Sequence, residues 1–220
     1  MKRSILAGAA VALFSVSALA DVKETENFSF DVIKGARVSV ENINGDISVV
    51  GDSVKQVTIV ANKKAGKQEY MDELEIVVDA SEDYVRIETR HPDSSGGWFN
   101  WGNDSSGSVS YELLVPMDVN LDSIDTVNGD VTIESVDGEV NAGTVNGTIE
   151  VSGANADVDL ETVNGSIKAV FDELGSGQRV KADTVNGKIT VYLPADTSAR
   201  VVAETVNGSI DADDFGLEVE

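Results

Sequence analysis

The tetrapeptide Thr-Val-Asn-Gly occurs five times in the second half of the chain, placing Asn128, Asn146, Asn164, Asn186 and Asn207 at spacings of 18, 18, 22 and 21 residues. A chain that returns to the same four residues at such intervals is repeating one small structural unit. Each interval holds short alternating runs and a turn, the length needed to wind once around a β-solenoid and reach the same corner one layer on. The expected fold is all-β: a parallel β-solenoid (β-helix) with coils of 18–22 residues over 119–220, behind a less regular β-rich part over 21–118. Asn-Gly is expected at the corners because it enters positive-φ conformations at little cost. A two-residue hairpin is its competing use, but hairpins alone would not preserve a whole tetrapeptide at full-coil spacing. The expected corners are Asn44, Asn128, Asn146, Asn164, Asn186 and Asn207. Their side chains, stacked about 4.8 Å apart, can hydrogen-bond along the column.

Counted from each corner Asn, or from its equivalents Asp137 and Asn155, apolar residues fall at −1, +3 and +5. The +3 and +5 residues share one face of a strand, and −1 is read as entering the interior beside the corner. The expected core is therefore Val127, Val131 and Ile133; Val136, Val140 and Ala142; Val145, Ile149 and Val151; Ala154, Val158 and Leu160; Val163, Ile167 and Ala169; Val185, Ile189 and Val191; Val206, Ile210 and Ala212. On this register Val163→Asp is expected to be strongly destabilising and Ser166→Asp nearly silent. A hexapeptide β-helix would instead show an inward aliphatic every six residues, which this chain does not. The extra residues of the longer intervals fall near Asp172 to Gln178 and Pro194 to Ala199, where bulged loops are expected.

Ahead of the repeats, strand-like runs lie at 37–41, 47–50, 56–61, 75–79, 84–89 and 108–115, and 67–74 reads as one short helix able to cap an apolar end. Asn42-Ile43-Asn44-Gly45-Asp46-Ile47 repeats the corner signature, and Tyr111-Glu112-Leu113-Leu114-Val115-Pro116 leads into the Asn-Gly series. With these two segments the chain resembles, from about Phe28 to Leu217, the bacterial putative-adhesin family, an exported β-solenoid domain of unknown function with Asn-Gly repeats. The resemblance implies a binding, adhesive or scaffold role at the cell envelope and carries over no catalytic residue.

Residues 1–20 read as an export signal: Lys2 and Arg3, an apolar run from Ile5 to Val16, then the small-x-small site Ala18-Leu19-Ala20. The run is too short for a membrane span, and no later segment approaches one. The expectation is a periplasmic, extracellular or cell-surface protein without membrane insertion. The chain has no cysteine, hence no disulfide and no lipid-modified N-terminal Cys. Without the signal, 14 basic residues face 39 acidic ones, a net charge of −25. Nucleic acid and anionic lipid would be repelled. The acidity also serves simply to keep a repetitive β-protein soluble.

Three groups of residues invite a chemical role. Position −3 holds Asp125, Gly143, Glu161, Asp183 and Glu204, an acidic column in which calcium would relieve repulsion between neighbours. Solvated outward acids are the plainer reading, since the Gly-Gly-x-Gly-x-Asp calcium loop is absent. Next to it runs a threonine column, Thr126, Thr144, Thr162, Thr184 and Thr205, which is a poor match to an ice-binding array and a better one to a hydrogen-bonded corner. Trp98, Phe99 and Trp101 stand in an otherwise polar loop, 92–108, and are candidates either to stack on an envelope glycan or protein ligand or to fold back as a cap. His91 is the only histidine, so histidine clusters and Cys-His nucleophiles are excluded. A non-catalytic protein is expected, needing no cofactor. The alternative is a polysaccharide-active enzyme using surface carboxylates. An uncovered C-terminal end would offer an end-to-end contact with a second copy.

Overall fold

The computed structural model describes residues 21–92, 107–173, 177–194 and 200–211. In the repeats, alternation dictates the strands. β8 (Asn120–Asn128), β10 (Val140–Asn146) and β12 (Val158–Asn164) each end on a corner Asn. β9 (Val131–Glu134), β11 (Ile149–Ser152) and β13 (Ile167–Val170) begin three residues later. In β14 (Arg179–Tyr192) and β15 (Arg200–Asp211) one continuous strand runs through the same tetrapeptide. Neighbouring repeats pair parallel and in register, Thr126 with Thr144, Thr162, Thr184 and Thr205, and Val131 with Ile149, Ile167 and Ile189.

Both rows continue into the leading part. β2 (Arg37–Glu41) pairs parallel with β8, and β3 (Ile47–Asp52) parallel with β9. Beyond β3 lie β7 (Gly107–Pro116), then β4 (Gln56–Ala65) and β1 (Val22–Asp31), the last two joined antiparallel. Beyond β2 lie β6 (Tyr84–Arg90), parallel, and β5 (Glu75–Ser81), antiparallel. Strands therefore stand where alternation placed them ahead of the repeats, but β1 was not expected. Only Val22, Phe28 and Phe30 punctuate its polar run.

The expectation of a regular parallel β-solenoid is corrected. Fifteen strands among the described residues form one mixed sheet, in the order β1-β4-β7-β3-β9-β11-β13-β14-β12-β10-β8-β2-β6-β5, with β15 on β14. The sheet is nearly closed and barrel-like. Its path doubles back at β14, whose first half pairs with β12 and whose second half pairs with β13. The leading residues extend both rows, which end in the antiparallel pairs β7–β4–β1 on one side and the β5–β6 hairpin on the other. The added residues of the longer repeats fall largely outside the described segments.

Inside this wall, Val131, Ile133, Ile149, Val151, Ile167, Ala169 and Ile189 are all within 1% of complete burial. α1 (Gln68–Glu73) forms where the short helix was expected and, with Leu74 after it, buries Met71 and Leu74. Leu74 joins the strands' own apolar cluster. Tyr111 is buried on β7, hydrogen-bonded at 2.7 Å to Thr89, and burial pushes its phenol pKa up to about 12.

Two expectations about the Thr-Val-Asn-Gly corner are corrected. Val127, Val145, Val163 and Val185 are 38–40% exposed and Val206 75%, whereas Thr126, Thr144, Thr162 and Thr184 are buried. The strand continues up to the Asn, so the inward parity of Val140 and Ala142 passes to Thr144 and leaves Val145 outside. Nor do these glycines serve by positive φ: among the Asn-Gly pairs only Gly45 has one, +121°. At Gly147, Gly165 and Gly187 a Cβ would lie 1.8–1.9 Å from the carbonyl oxygen of the glycine one layer below. They are glycines because backbones touch there.

Candidate binding groove

The parity of the corner builds the site. On each strand the −3 and −1 residues point outward on either side of an inward −2 residue. The outcome is a groove of about 650 Å³ that crosses β8, β10, β12, β14 and β15, with the acidic column on one flank and the valines on the other. Its floor is held by the buried threonines, whose hydroxyls donate to glycine carbonyls of the previous layer. Thr126 reaches Gly45 O at 3.1 Å, Thr144 reaches Gly129 O at 3.0 Å, Thr162 reaches Gly147 O at 3.2 Å and Thr184 reaches Gly165 O at 3.0 Å. A buried hydroxyl is stable only when so satisfied.

The first layer completes the pattern with different residues. Asn42 stands where later layers have Thr; it is buried and donates through Nδ2 to Gly45 O at 3.1 Å and to Val109 O at 2.9 Å. Ile43, 43% exposed, stands in the place of the valine, and Glu41 faces Asp125 across the β2–β8 pair. The apolar row therefore has six members, Ile43, Val127, Val145, Val163, Val185 and Val206. Sequence reasoning missed it because −1 was assigned to the core; counting by twos from Ala142 reaches Thr144 and would have revealed it.

The expected acidic residues share one register row: Asp125 on β8, Glu161 on β12, Asp183 on β14 and Glu204 on β15, with Gly143 of β10 between the first two. Gly143 interrupts them on β10, where a Cβ would lie 2.5 Å from Asp125 Oδ1, a side-chain atom that can move aside. The other oxygen of Asp125 accepts from Ser123 Oγ. Lys181 sits among the acids, its Nζ at 2.6 Å from Glu161 Oε1, 2.9 Å from Asp183 Oδ2 and 3.1 Å from Asp159 Oδ1. Hydrogen bonds to Glu161 and Asp183, then Asp159, raise the ammonium pKa. Among the described residues no group of three or more His, Cys, Asp or Glu side chains is placed to hold a metal ion. A lysine occupies the position between carboxylates that calcium would need.

At the corner itself the exposed asparagines form a ladder. Asn128 donates to Asn44 Oδ1, Asn146 to Asn128, Asn164 to Asn146, Asn186 to Asn164 and Asn207 to Asn186, at 2.8–3.1 Å. The links fix the spacing of the layers and so of the groove's residues. Trp98, Phe99 and Trp101 lie outside the described residues. His91, just before that loop, shares a 2.8 Å hydrogen bond between its Nδ1 and the Tyr70 hydroxyl, and burial lowers its pKa. Among the described residues no helix is long and apolar enough to cross a membrane.

No family model and no curated protein matches the chain. Solved structures do. A putative cell adhesion protein from Clostridium sporogenes ATCC 15579 overlaps 84% of this chain and 97% of its own, at 12% identity and a TM-score of 0.45. A putative lipid binding protein from Parabacteroides distasonis ATCC 8503 overlaps 84% and 77%, at 8% identity and a TM-score of 0.32. A putative adhesin from Bacteroides fragilis NCTC 9343 overlaps 84% and 95%, at 12% identity and a TM-score of 0.30. Overlap this loose carries no argument for fold or function.

Proposed function

We propose that the chain is an exported, non-catalytic binding protein of the cell envelope that engages an envelope glycan or protein along the groove. The observation that carries this is the six-layer row of exposed aliphatics. On the other outward face the same layers place Thr132, Glu150, Lys168 and Thr190 four residues after the corner Asn, as a solvated surface should. At −1 the outward side chain is apolar in every layer, whereas the +6 position mixes Val50, Val170 and Tyr192 with Glu134 and Ser152, and covering each member of the −1 row is worth on the order of 1 kcal/mol. Lys2, Arg3, the apolar run and Ala18-Leu19-Ala20 support export. Asp159, Glu161 and Asp183 converge on the Lys181 ammonium. That arrangement pairs them as carboxylates instead of setting an acid and a base across a substrate, which favours binding over glycan cleavage.

The test is saturable binding of purified protein to separated envelope polysaccharide and envelope protein fractions. A Val145→Ser/Val163→Ser/Val185→Ser variant with unchanged melting should lose at least about tenfold in affinity, the equivalent of roughly 1.4 kcal/mol. A Trp98→Ala/Trp101→Ala variant measured beside it reports whether the loop contributes. Absence of saturable binding to every fraction, or an unchanged affinity in the triple variant, would overturn the proposal.

A further inference from the structure

Building on the binding role proposed above, the geometry points to the occupant of the groove: we infer that it receives a basic amphipathic α-helix, laid along the aliphatic row with its cationic flank on the acidic column. The first argument is spacing. The row steps once per strand, about 4.8 Å. A helix with an apolar stripe presents one such residue every 3.5 positions on average, a rise of about 5.3 Å. Five steps from Ile43 to Val206 then accumulate only about 2.5 Å of mismatch, half a layer. An extended strand laid the same way shows same-face side chains every 6.8 Å or so and is a full layer out of step after three. A polyproline helix turns once in roughly 9.3 Å and touches only every second layer. The row spans about 24 Å, which is roughly 16 helical residues.

The second argument is charge. Glu41, Asp125, Glu161, Asp183 and Glu204 form the flank, and Asp159 lies beside it, with Lys181 paired to Asp159, Glu161 and Asp183. The molecule as a whole carries −23. A second copy of the chain, an acidic peptide or an anionic membrane would meet like charge over the whole flank. Lysine or arginine stems beside an apolar stripe would lie over the groove and carry their charges to the carboxylates.

The probes are synthetic 18-residue peptides. One contains Leu at helical i, i+3, i+4, i+7 spacing with Lys elsewhere; a second has the same composition in strict alternation; a third replaces Lys by Glu; a fourth is a Pro-rich Lys peptide. The first should bind the full protein with a gain of helical circular dichroism. Its affinity should fall with salt and weaken at least about tenfold in Val163→Ser/Val185→Ser. Glu41→Gln/Asp125→Asn/Glu204→Gln should weaken it several-fold, most at low salt. Equal or tighter binding of the alternating, Pro-rich or Glu peptide overturns the inference, as does indifference to either set of variants. Saturable binding of an envelope fraction without binding of the helical Lys peptide would discard the helix and leave the binding role standing; failure of both would remove both.

Discussion

Each repeat turns twice, and the two turns treat the residue before them in opposite ways. Ahead of Asp137 and Asn155, Val136 and Ala154 are completely buried. Ahead of Asn128, Asn146 and Asn164, Val127, Val145 and Val163 stand 38–40% exposed, and the preceding threonine goes inside. The backbone accounts for the difference. Before Val136 and Ala154 the chain passes through Ser135 at φ +59° and Gly153 at φ +63°. A left-handed residue breaks the two-residue alternation, so the next side chain turns inward out of phase with the strand. No such residue precedes the valine of Thr-Val-Asn-Gly, and strand parity runs unbroken to the corner. One kind of turn thus closes the core, while the other opens a groove.

The largest effect separates the two turns directly. Val136→Asp places a carboxylate without a partner in the closed core and should cost about 4 kcal/mol, whereas Val163→Asp, on the groove side, should change stability by no more than about 0.5 kcal/mol. Urea midpoints of the two variants check this. Equal losses would return Val163 to the interior and erase the groove.

How much of this was legible in the sequence depends on which signal each residue carries. The +3 and +5 aliphatics from Val131 to Ile189, the six leading strands and α1 follow from periodicity, because an alternating run has only one way to bury its apolar face; in the last layers the expectation fails in part, with Val191 half-buried and Ile210 38% exposed. The parity of the corner was misread because Val is apolar and Thr is not, so type was taken over count. What decides the matter is a hydrogen bond from Thr144 Oγ1 to a glycine carbonyl fifteen residues earlier in the chain, and no local pattern announces that. The sheet's closure was equally hidden. It depends on β2 and β3 pairing with β8 and β9, some eighty residues away. The acidic column was legible as a column, but the lysine inside it was not. Lys181 stands two residues before Asp183 on the same strand, and its reach to Glu161 on β12 is a matter of stacking.

The glycines sharpen the comparison at the next level. Gly165→Ala would drive a Cβ to 1.8 Å from Gly147 O, so the layers must part, with an expected loss of about 3 kcal/mol. Gly153→Ala meets nothing nearer than 3.5 Å and pays only for φ, about 1 kcal/mol. Gly165 at the groove corner is thus limited by contact and Gly153 at the closed corner by conformation. Thermal unfolding of the pair, with Gly153→Asn as a residue more tolerant of positive φ, separates the two causes. A rescue by Asn at position 165 would show that conformation governs both.

Thr162→Val tests the buried hydroxyl in isolation. The replacement keeps the volume and removes the bond to Gly147 O, for an expected cost of about 1 kcal/mol. Thr162→Ser keeps the donor and should cost less than Val does. If Val instead stabilises, the threonine is held there by shape, and the floor of the groove does not depend on its hydrogen bonds.

The smallest effect is a dependence on pH that belongs to neither turn. Burial lowers the pKa of His91 in the folded chain, so between that value and the ordinary one near 6.5 the unfolded state binds more protons. The stabilisation is complete above about pH 6.5 and is lost as pH falls through the window below it. His91→Gln should therefore flatten the fall in melting temperature below that point, while Val163→Ser should keep the wild-type slope. The Tyr70 hydroxyl and His91 Nδ1 lie 2.8 Å apart in the leading part of the chain, and no buried titratable group lies at either turn among the described residues. Melting curves taken at close pH intervals decide it. A slope that survives His91→Gln but changes when Glu41, Asp125 and Glu204 are neutralised would move the origin to the acidic flank, and the groove corner would then be the pH-sensitive one of the two.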